Sequence, residues 1–557
     1  MKYVFIILVV VLFLFVLSLW NEKQLAKKRK AQLKKEWGQI PEEEYTSEKF
    51  DSLKEFYRSI QEDRYDVDDI TWNDLDVDDI YMLMNNTQSS IGEEYLYALL
   101  RKPCLSKTEL EERNRLIHFF NHKEEQRIAL QTAIKSVGKL QQISVYQYIN
   151  RLDEQKSQSN LPHYFMAFGL LLSVGLIFVN PAYGGICTLI FAVNNIIQYY
   201  KRKAEIDKYL TVVAYILRLL DSIGDIEKLN IEEISQYTDT LRKDKAVFKP
   251  FIRGAAILTS RSVSGNLLDT FVDYLRMLFH LDLIKFNSMI TIFKKNREVL
   301  NRIFINVGLL DSMVAVASFR EMLPYYCEPE LTKGGRPFLS VTDLYHPLLS
   351  NPVPNSISET DSVLITGSNA SGKSTFIKTM AINAILSQTI FTSISRKYRA
   401  SYFIVFSSMA LRDNIFSNES YYIVEIKSLK RILDHINPEI PILCFIDEVL
   451  RGTNTLERIA ASSRILASLA QKNALVFAAT HDIELTHILE EHYRNYHFQE
   501  RIADNQILFD YQLHSGRAVS KNAIKLLGVL GYSRKIIDEA EQAAEEFMRA
   551  GEWSKIQ

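Results

Sequence analysis

The stretch Ser362-Val-Leu-Ile-Thr366, followed directly by Gly367-Ser-Asn-Ala-Ser-Gly372-Lys373-Ser374, decides the fold of the C-terminal part of the chain. A short β-branched run leads into the pattern Gly-x-x-x-x-Gly-Lys-Ser, and the residues after it have helical apolar spacing. The glycines allow a tight turn whose backbone N–H groups, with the N-terminus of the next helix, form a positive cradle for phosphate oxygens. Strand, glycine loop and helix in this order predict a nucleotide-phosphate site rather than a chance glycine-rich turn.

The residue types in this loop suggest individual roles. Lys373 is expected to reach the β- and γ-phosphates of ATP, and the hydroxyl of Ser374 is expected to ligate Mg²⁺. We expect the whole loop and the start of the helix to contact the nucleotide, namely Gly367, Ser368, Asn369, Ala370, Ser371, Gly372, Lys373, Ser374 and Thr375.

Two further apolar runs end in chemically active side chains. Residues 441–446 lead to Asp447 and Glu448. Asp447 is expected to hold the Mg²⁺ shell through water, and Glu448 to orient or deprotonate the attacking water. Residues 474–478 lead towards His481, which could contact the γ-phosphate because ligands bind at the carboxyl ends of strands in open α/β sheets. Strand-like runs alternate with helices beyond residue 331, which predicts an α/β domain there.

Composition and cysteine usage set broad limits. A chain of 557 residues implies two or more domains. The 66 Lys and Arg residues nearly balance the 67 Asp and Glu residues, so the net charge alone does not indicate nucleic-acid binding. The 4 cysteines are scattered without a Cys-x-x-Cys pair. This argues against a disulfide framework or a zinc site and is typical of a reduced, cytosolic compartment.

Three apolar runs suggest a membrane protein. Residues 3–20 almost reach the length of about 20 residues that spans a bilayer, and no signal-peptide cleavage pattern follows them. Residues 164–179 and 186–200 surround a short turn without Lys or Arg, whereas both outer flanks are basic, which predicts a membrane hairpin. A buried hairpin of a soluble domain is the alternative. The sequence therefore predicts a multi-pass protein of the cell membrane with its remaining parts in the cytoplasm.

The residues around the predicted site resemble the MutS family of DNA mismatch-repair ATPases. Residues 447–455, Asp-Glu-Val-Leu-Arg-Gly-Thr-Asn-Thr, are similar to the family's Asp-Glu-x-x-Arg-Gly-Thr-Ser-Thr. Residues 479–485, Ala-Thr-His-Asp-Ile-Glu-Leu, resemble its Ala-Thr-His-x-x-Glu-Leu segment. Residues 418–426 resemble the family's signature stretch, and residues 87–103 and 310–330 resemble parts of its helical core.

This resemblance implies a fold and a mode of assembly. The fold is an α/β P-loop ATPase domain of the ABC/MutS type, preceded by an all-α core domain that here carries the transmembrane helices. The family works as a head-to-tail dimer with composite sites, so the resemblance implies a homodimer in which Ser420 approaches the γ-phosphate bound by the opposite subunit. ATP and Mg²⁺ are the implied cofactors. Val353 and Asn355 lie where the family contacts adenine, and Gln388 lies where relatives have a glutamine near the nucleotide.

The expected domains follow from these patterns. They are an N-terminal anchor (1–21), a first core-like helical segment (22–160), a transmembrane hairpin (161–203), a second core and lever-like helical segment (204–330), and an ATPase domain with a C-terminal dimerisation tail (331–557).

The family's mismatch-reading domain, with its Phe-x-Glu wedge, has no counterpart in the expected place. The tripeptide occurs only at residues 319–321 and 498–500, in other domains. The sequence thus predicts a membrane-anchored ATPase for which DNA binding, to double-stranded or branched DNA, and an unidentified protein partner are left open, without mismatch recognition. The alternatives are a transporter-coupled or membrane-remodelling ATPase with no DNA role, and a membrane scaffold that binds nucleotide without turnover.

Overall fold

The computed structural model describes residues 20, 24–25, 27–61, 65–154, 159–252, 267–368, 371–409, 421–436, 438–503, 506–518, 524, 527 and 531–555. The chain divides into two compact units. The first unit comprises residues 1–61, 82–98 and 112–322, and the second comprises residues 62–81, 99–111 and 323–557.

Helices account for the regular structure before residue 323, beginning with a helical stretch at residues 27–36. They are α1 Ser47–Ile60, α2 Asp69–Asp74, α3 Val77–Met84, α4 Ser90–Arg101, α5 Lys107–His122, α6 Glu124–Lys135, α7 Val145–Asn150, α8 Leu161–Ile177, α9 Pro181–Lys228, α10 Ser235–Ile252, α11 Leu267–Phe279, α12 Leu281–Lys295 and α13 Arg297–Met322. Short 3₁₀ turns at Arg151–Glu154 and Glu232–Ile234 join some of them.

Helix α13 lies in the core of the first unit. Its buried Asp311 accepts hydrogen bonds from the backbone N–H groups of Gln88 and Ser89, both at 3.0 Å, just before α4 begins. These donors directly precede Ser90, the first residue of α4, so the carboxylate on one helix fixes the backbone that leads into another. Gly92 makes the approach possible, because a methyl group at that position would lie 2.7 Å from Cγ of Asp311.

The predicted multi-pass membrane arrangement is wrong. Among the described residues, α13 alone is long and apolar enough to cross a membrane, judged by length and composition, and 67% of its most apolar segment is buried inside the protein. Helix α8 has 17 residues, fewer than the roughly 20 that a span requires. Helix α9 continues to Lys228 instead of ending near residue 203. Its fully buried Asn195 donates hydrogen bonds to the carbonyls of Met166 and Leu278.

The anchor expected at residues 1–21 lies outside the described residues, except for residue 20. The outward faces of α8 and of the first half of α9 nevertheless expose many large apolar side chains, among them Phe165, Phe168, Leu172, Leu189 and Ile190.

The second unit is an α/β structure. Its strands are β1 Glu330–Thr332, β2 Leu339–Leu344, β3 Asn355–Glu359, β4 Ser362–Thr366, β5 Lys397–Ser401, β6 Ile404–Ser408, β7 Ile442–Asp447, β8 Ala474–Ala479, β9 Tyr493–His497, β10 Glu500–Ala503, β11 Gln506–Phe509 and β12 His514–Ser515. Its later helices are α14 Lys373–Thr389, α15 Tyr421–Asp434, α16 Thr455–Ala470, α17 Ile483–Ile488 and α18 Arg534–Ala550.

Six of these strands form the central sheet, in the order β12-β9-β4-β8-β7-β6. Strands β9, β4, β8, β7 and β6 are parallel, and β12 pairs antiparallel with β9. All residues of β4, β6 and β8 are buried, as expected for parallel strands covered on both faces. The strands predicted from these apolar runs are confirmed, and parallel pairing brings the ends of β4, β8 and β7 to one edge of the sheet.

A second sheet has the order β1-β5-β2-β3, and β10 and β11 form an antiparallel pair.

Candidate functional site

The glycine-rich loop connects β4 to α14, which begins at Lys373. Gly367 has a φ of 148° and Gly372 a φ of 107°, conformations that favour glycine. A methyl group at position 367 would lie 2.8 Å from the carbonyl oxygen of Phe498, so the close approach of the chain also requires glycine there. Asn369 and Ala370 lie outside the described residues.

Lys373 folds back over this loop. Its Nζ donates hydrogen bonds to the carbonyl oxygens of Gly367 at 2.8 Å and Ser368 at 2.9 Å. Burial lowers the pKa of the Lys373 ammonium, and the carboxylates of Asp447 and Glu448 act in the opposite direction. The lysine is therefore held at the mouth of the loop, close to the two acidic residues at the end of β7.

A cavity of about 460 Å³ lies against the loop, within the range typical of small-molecule sites. Nine of the residues predicted from the sequence line it: Val353, Asn355, Ser368, Ser371, Gly372, Lys373, Ser374, Thr375 and Glu448. Its wall also contains residues that were not predicted as site residues, including His346, Phe376, Phe498 and Tyr511. Apolar and aromatic walls around a polar loop suit a ligand with a planar, apolar part and a charged part.

Three predicted residues have other surroundings. Asn355 lines the cavity, but its side-chain amide donates to the carbonyl of Tyr511 at 3.0 Å and accepts from the N–H of Leu513 at 2.7 Å. Gln388 is buried away from the cavity lining and bonds through both side-chain polar atoms to the backbone of Phe403. Ser420 lies outside the described residues.

The end of β7 places Glu448 at the cavity. Glu448 has a φ of 57°, and its backbone N–H donates to the carbonyl of Ala479, the last residue of β8. Its Oε1 lies 2.9 Å from Nε2 of His481, and its carboxylate also forms an ion pair with Arg451. His481 therefore touches Glu448 directly although it is not part of the cavity lining.

Asp447 and Ser374 supply oxygen atoms of the kind that Mg²⁺ prefers. Oδ1 of Asp447 is buried and has no hydrogen-bond partner among the described residues, whereas Ser374 is exposed at the first turn of α14. No group of three or more potential metal ligands occurs in the described part of the chain. One carboxylate and one hydroxyl fit Mg²⁺, because this ion takes few protein ligands and keeps water and phosphate oxygens.

Comparison with known proteins covers the region that contains this site. Residues 363–548 match the family model described as MutS domain V, which begins in β4 and includes the glycine loop, the end of β7 and His481. This part of the chain is a MutS-family domain V.

Individual MutS-family relatives match a larger part of the chain. MutS protein homolog 4 of Homo sapiens is 29% identical over 49% of this chain. The proteins named DNA mismatch repair protein MutS in Thermotoga maritima and Natronomonas pharaonis are each 28% identical, over 47% and 42% of the chain. These matches cover 31%, 33% and 28% of the relatives, so the chain spans about a third of the length of the curated relatives that it matches. Relatives named for DNA mismatch repair also speak against the predicted multi-pass membrane protein.

The second unit contains two carboxylates that were not predicted as site residues. Oε2 of Glu500 accepts a hydrogen bond from Oγ of Ser368 in the glycine loop at 2.6 Å. Glu425 on α15 accepts one from the backbone N–H of Arg451 at 3.2 Å. Glu425 lies in the stretch 418–426 and Glu500 in the tripeptide 498–500, but their contacts join segments far apart in sequence, so residue spacing could not reveal these contacts.

Proposed function

We propose that the second unit binds ATP with Mg²⁺ and hydrolyses it, as a P-loop ATPase of the MutS type. The observation that carries the proposal is the position of Glu448, which lines the cavity beside Lys373 and is oriented by His481 at 2.9 Å. A carboxylate held in this way beside a phosphate-type loop is the arrangement that activates water for attack on a terminal phosphate.

The loop and Lys373 bind the phosphates. Lys373 now donates to two backbone carbonyls, which are neutral acceptors. Phosphate oxygens are charged and form stronger bonds with an ammonium group, so they replace these carbonyls as its partners. The backbone N–H groups of the loop and the N-terminus of α14 complete the anion site.

Ser374 and Asp447 would hold the metal. Mg²⁺ bound by these two side chains would supply positive charge beside the phosphate oxygens. The buried, unpartnered Oδ1 of Asp447 supports this assignment, because a buried carboxylate oxygen without a partner is unfavourable unless a cation or water satisfies it.

Glu448 orients the attacking water and accepts its proton. His481 and Arg451 contact the two oxygens of this carboxylate and fix its direction. Positioning of this kind is the main contribution that a protein makes to phosphoryl transfer.

The proposed assembly and partner of this ATPase are based on its similarity to the MutS family. We propose a homodimer in which Ser420 reaches the γ-phosphate bound by the other subunit, and DNA as the partner of the helical unit. Support comes from the curated relatives, which are named as DNA mismatch repair proteins. Residues 331–557 form the proposed ATPase domain, and mismatch recognition is not part of the proposal.

ATP hydrolysis by the full chain tests the enzymatic part. Glu448→Gln is expected to lower kcat by about 10²-fold or more with nucleotide still bound, and Lys373→Ala is expected to weaken nucleotide binding itself. Glu541→Gln, an exposed residue of α18, is the matched control and should change neither quantity. Hydrolysis by Glu448→Gln at the wild-type rate would refute the proposal.

Duplex, branched and mismatched DNA test the partner. We expect salt-dependent binding and a change in kcat when duplex or branched DNA is added, without preference for a mismatch. If DNA neither binds nor alters hydrolysis, the ATPase assignment stands and the DNA assignment falls.

A further inference from the structure

The loop that follows β7, residues 448–452, has an unusual backbone. Glu448 has a φ of 57° and Leu450 a φ of 58°. Residues with side chains rarely adopt this left-handed conformation, and a bulky residue such as leucine does so only when its surroundings enforce it. Contacts with neighbouring elements must therefore hold this loop, including the backbone of Glu448, in its left-handed conformation.

Helix α15 supplies the polar part of that constraint. Oε1 of the buried Glu425 accepts the N–H of Arg451 at 3.2 Å. The amides of Arg451, Gly452 and Leu450 all favour the ionised form of the carboxyl, although burial is the larger effect and raises the pKa of Glu425. The geometric link between the helix and the loop is thus the hydrogen bond from the Arg451 amide to this buried carboxylate.

The same helix also supplies a steric constraint. A methyl group at Gly452 would lie 3.0 Å from Cβ of Tyr422, in the first turn of α15. On the other side of the loop, Ser462 of α16 donates a hydrogen bond to the carbonyl of Val449 at 3.3 Å. The loop is therefore packed between two helices, and α15 provides the carboxylate that accepts the N–H of Arg451.

We propose that Glu425 is a positioning residue for Glu448, holding the loop 448–452 in its strained conformation and tying it to the first turn of α15. This inference rests on the proposed role of Glu448.

The test compares Glu425→Gln, which keeps the shape but removes the charge, with Asp434→Asn, an exposed acid at the end of the same helix. Steady-state ATP hydrolysis gives kcat and KM, and hydrogen exchange measured on the peptide that contains residues 448–454 reports on the loop. We expect Glu425→Gln to lower kcat about tenfold, to leave KM within about twofold, and to speed exchange of the loop amides. Asp434→Asn should change none of these.

Two results would overturn the inference. One is an unchanged kcat and unchanged loop exchange in Glu425→Gln, which would mean that the buried side chains of Val449 and Leu450 fix the loop unaided. The other is a joint change of kcat, KM and melting temperature, which would show a general structural role. If Glu448→Gln proves as active as the wild type, the proposed function fails, and loop exchange in Glu425→Gln still decides whether Glu425 holds the loop.

Discussion

Oγ of Ser407 donates a hydrogen bond to Oδ2 of Asp74 at 2.6 Å, although 333 residues separate the two in sequence. The same carboxylate oxygen accepts the N–H of Met409 at 3.0 Å, and Oγ1 of Thr71 accepts the N–H of Ser407 at 3.1 Å. Strand β6 is an edge strand of the central sheet. Helix α2 therefore provides hydrogen-bond partners for polar groups at the carboxyl end of β6 that no neighbouring strand would satisfy. The early segment at residues 62–81 is thus a structural part of the second unit.

Removing this carboxylate should loosen the end of β6. Asp74→Ala leaves Oγ of Ser407 and the N–H of Met409 without their acceptor, at a cost of about 2 kcal/mol. We expect faster hydrogen exchange at Met409 and a lower free energy of unfolding of the second unit. Asn73→Ala, an exposed position on the same helix, is the control and should change stability by less than about 0.5 kcal/mol. Equal effects of the two substitutions would contradict the assignment.

Two glycines of the first unit provide a matched pair. A methyl group at Gly92 would overlap Asp311, whereas at Gly185, within α9, it would meet nothing within 4 Å. Gly92→Ala is therefore expected to destabilise the first unit by about 2 kcal/mol, since the side chain of Asp311 must move. Gly185→Ala should stabilise it by roughly 0.5–1 kcal/mol through helix propensity. Chemical denaturation measures both changes, and a stable Gly92→Ala protein would refute the described contact.

His346 in the cavity wall gives a pH dependence with a defined sign. Burial lowers its pKa from 6.5 to about 4, and the nearby Lys378 acts in the same direction. Between these values the unfolded chain binds the proton and the folded chain does not, so stability falls as the pH falls through this range. Acid lowers the free energy of unfolding through this group, and His346→Asn should make that decrease smaller by about 2 kcal/mol. Unfolding at pH 7.5 and pH 4.5 measures it.

An exposed histidine serves as the comparison for that experiment. His487→Asn, at the surface of α17, should retain the full loss of stability in acid. If His346→Asn loses stability in acid as steeply as His487→Asn, the histidine at position 346 is not held in its neutral form.

We expect Asp447 to determine the Mg²⁺ concentration that ATP hydrolysis requires. Asp447→Asn keeps the size of the side chain but removes the charge that would face Mg²⁺, so half-maximal hydrolysis should need about tenfold more Mg²⁺. Chelation of Mg²⁺ should abolish hydrolysis in the wild type. Asp538→Asn on the surface of α18 is the control and should show the wild-type Mg²⁺ dependence. An unchanged Mg²⁺ dependence in Asp447→Asn would exclude this residue from the metal site.

The elements around the cavity could be predicted because their signals are local. β4, β7 and β8 are continuous apolar runs, and each ends where a glycine or a polar side chain begins. Parallel pairing then brings these ends together, so the position of Glu448 beside Lys373 followed from three separate stretches of sequence. The direct contact between the side chains of Glu448 and His481 could not be predicted from residue spacing.

The apolar runs at residues 164–200 misled the prediction for a physical reason. Hydropathy averages over all sides of a helix and does not report which polar groups find partners in the folded chain. Asn195 lies in such a run, but it is buried and bonded to two backbone carbonyls of the first unit. A length near that of a membrane span therefore did not identify one here.

The sequence by itself determined the glycine-rich loop after β4, the strands around it and the resemblance to the MutS family, because these depend on residues that are neighbours along the chain. Only the tertiary structure decided which distant residues support them. Four carboxylates bond to segments far away in sequence, and no periodicity in the sequence indicates these contacts. They are Asp74 at the end of β6, Glu500 at the glycine loop, Glu425 at the loop after β7 and Asp311 just before α4. The backbone amides and hydroxyls that these carboxylates satisfy come together only when the chain folds.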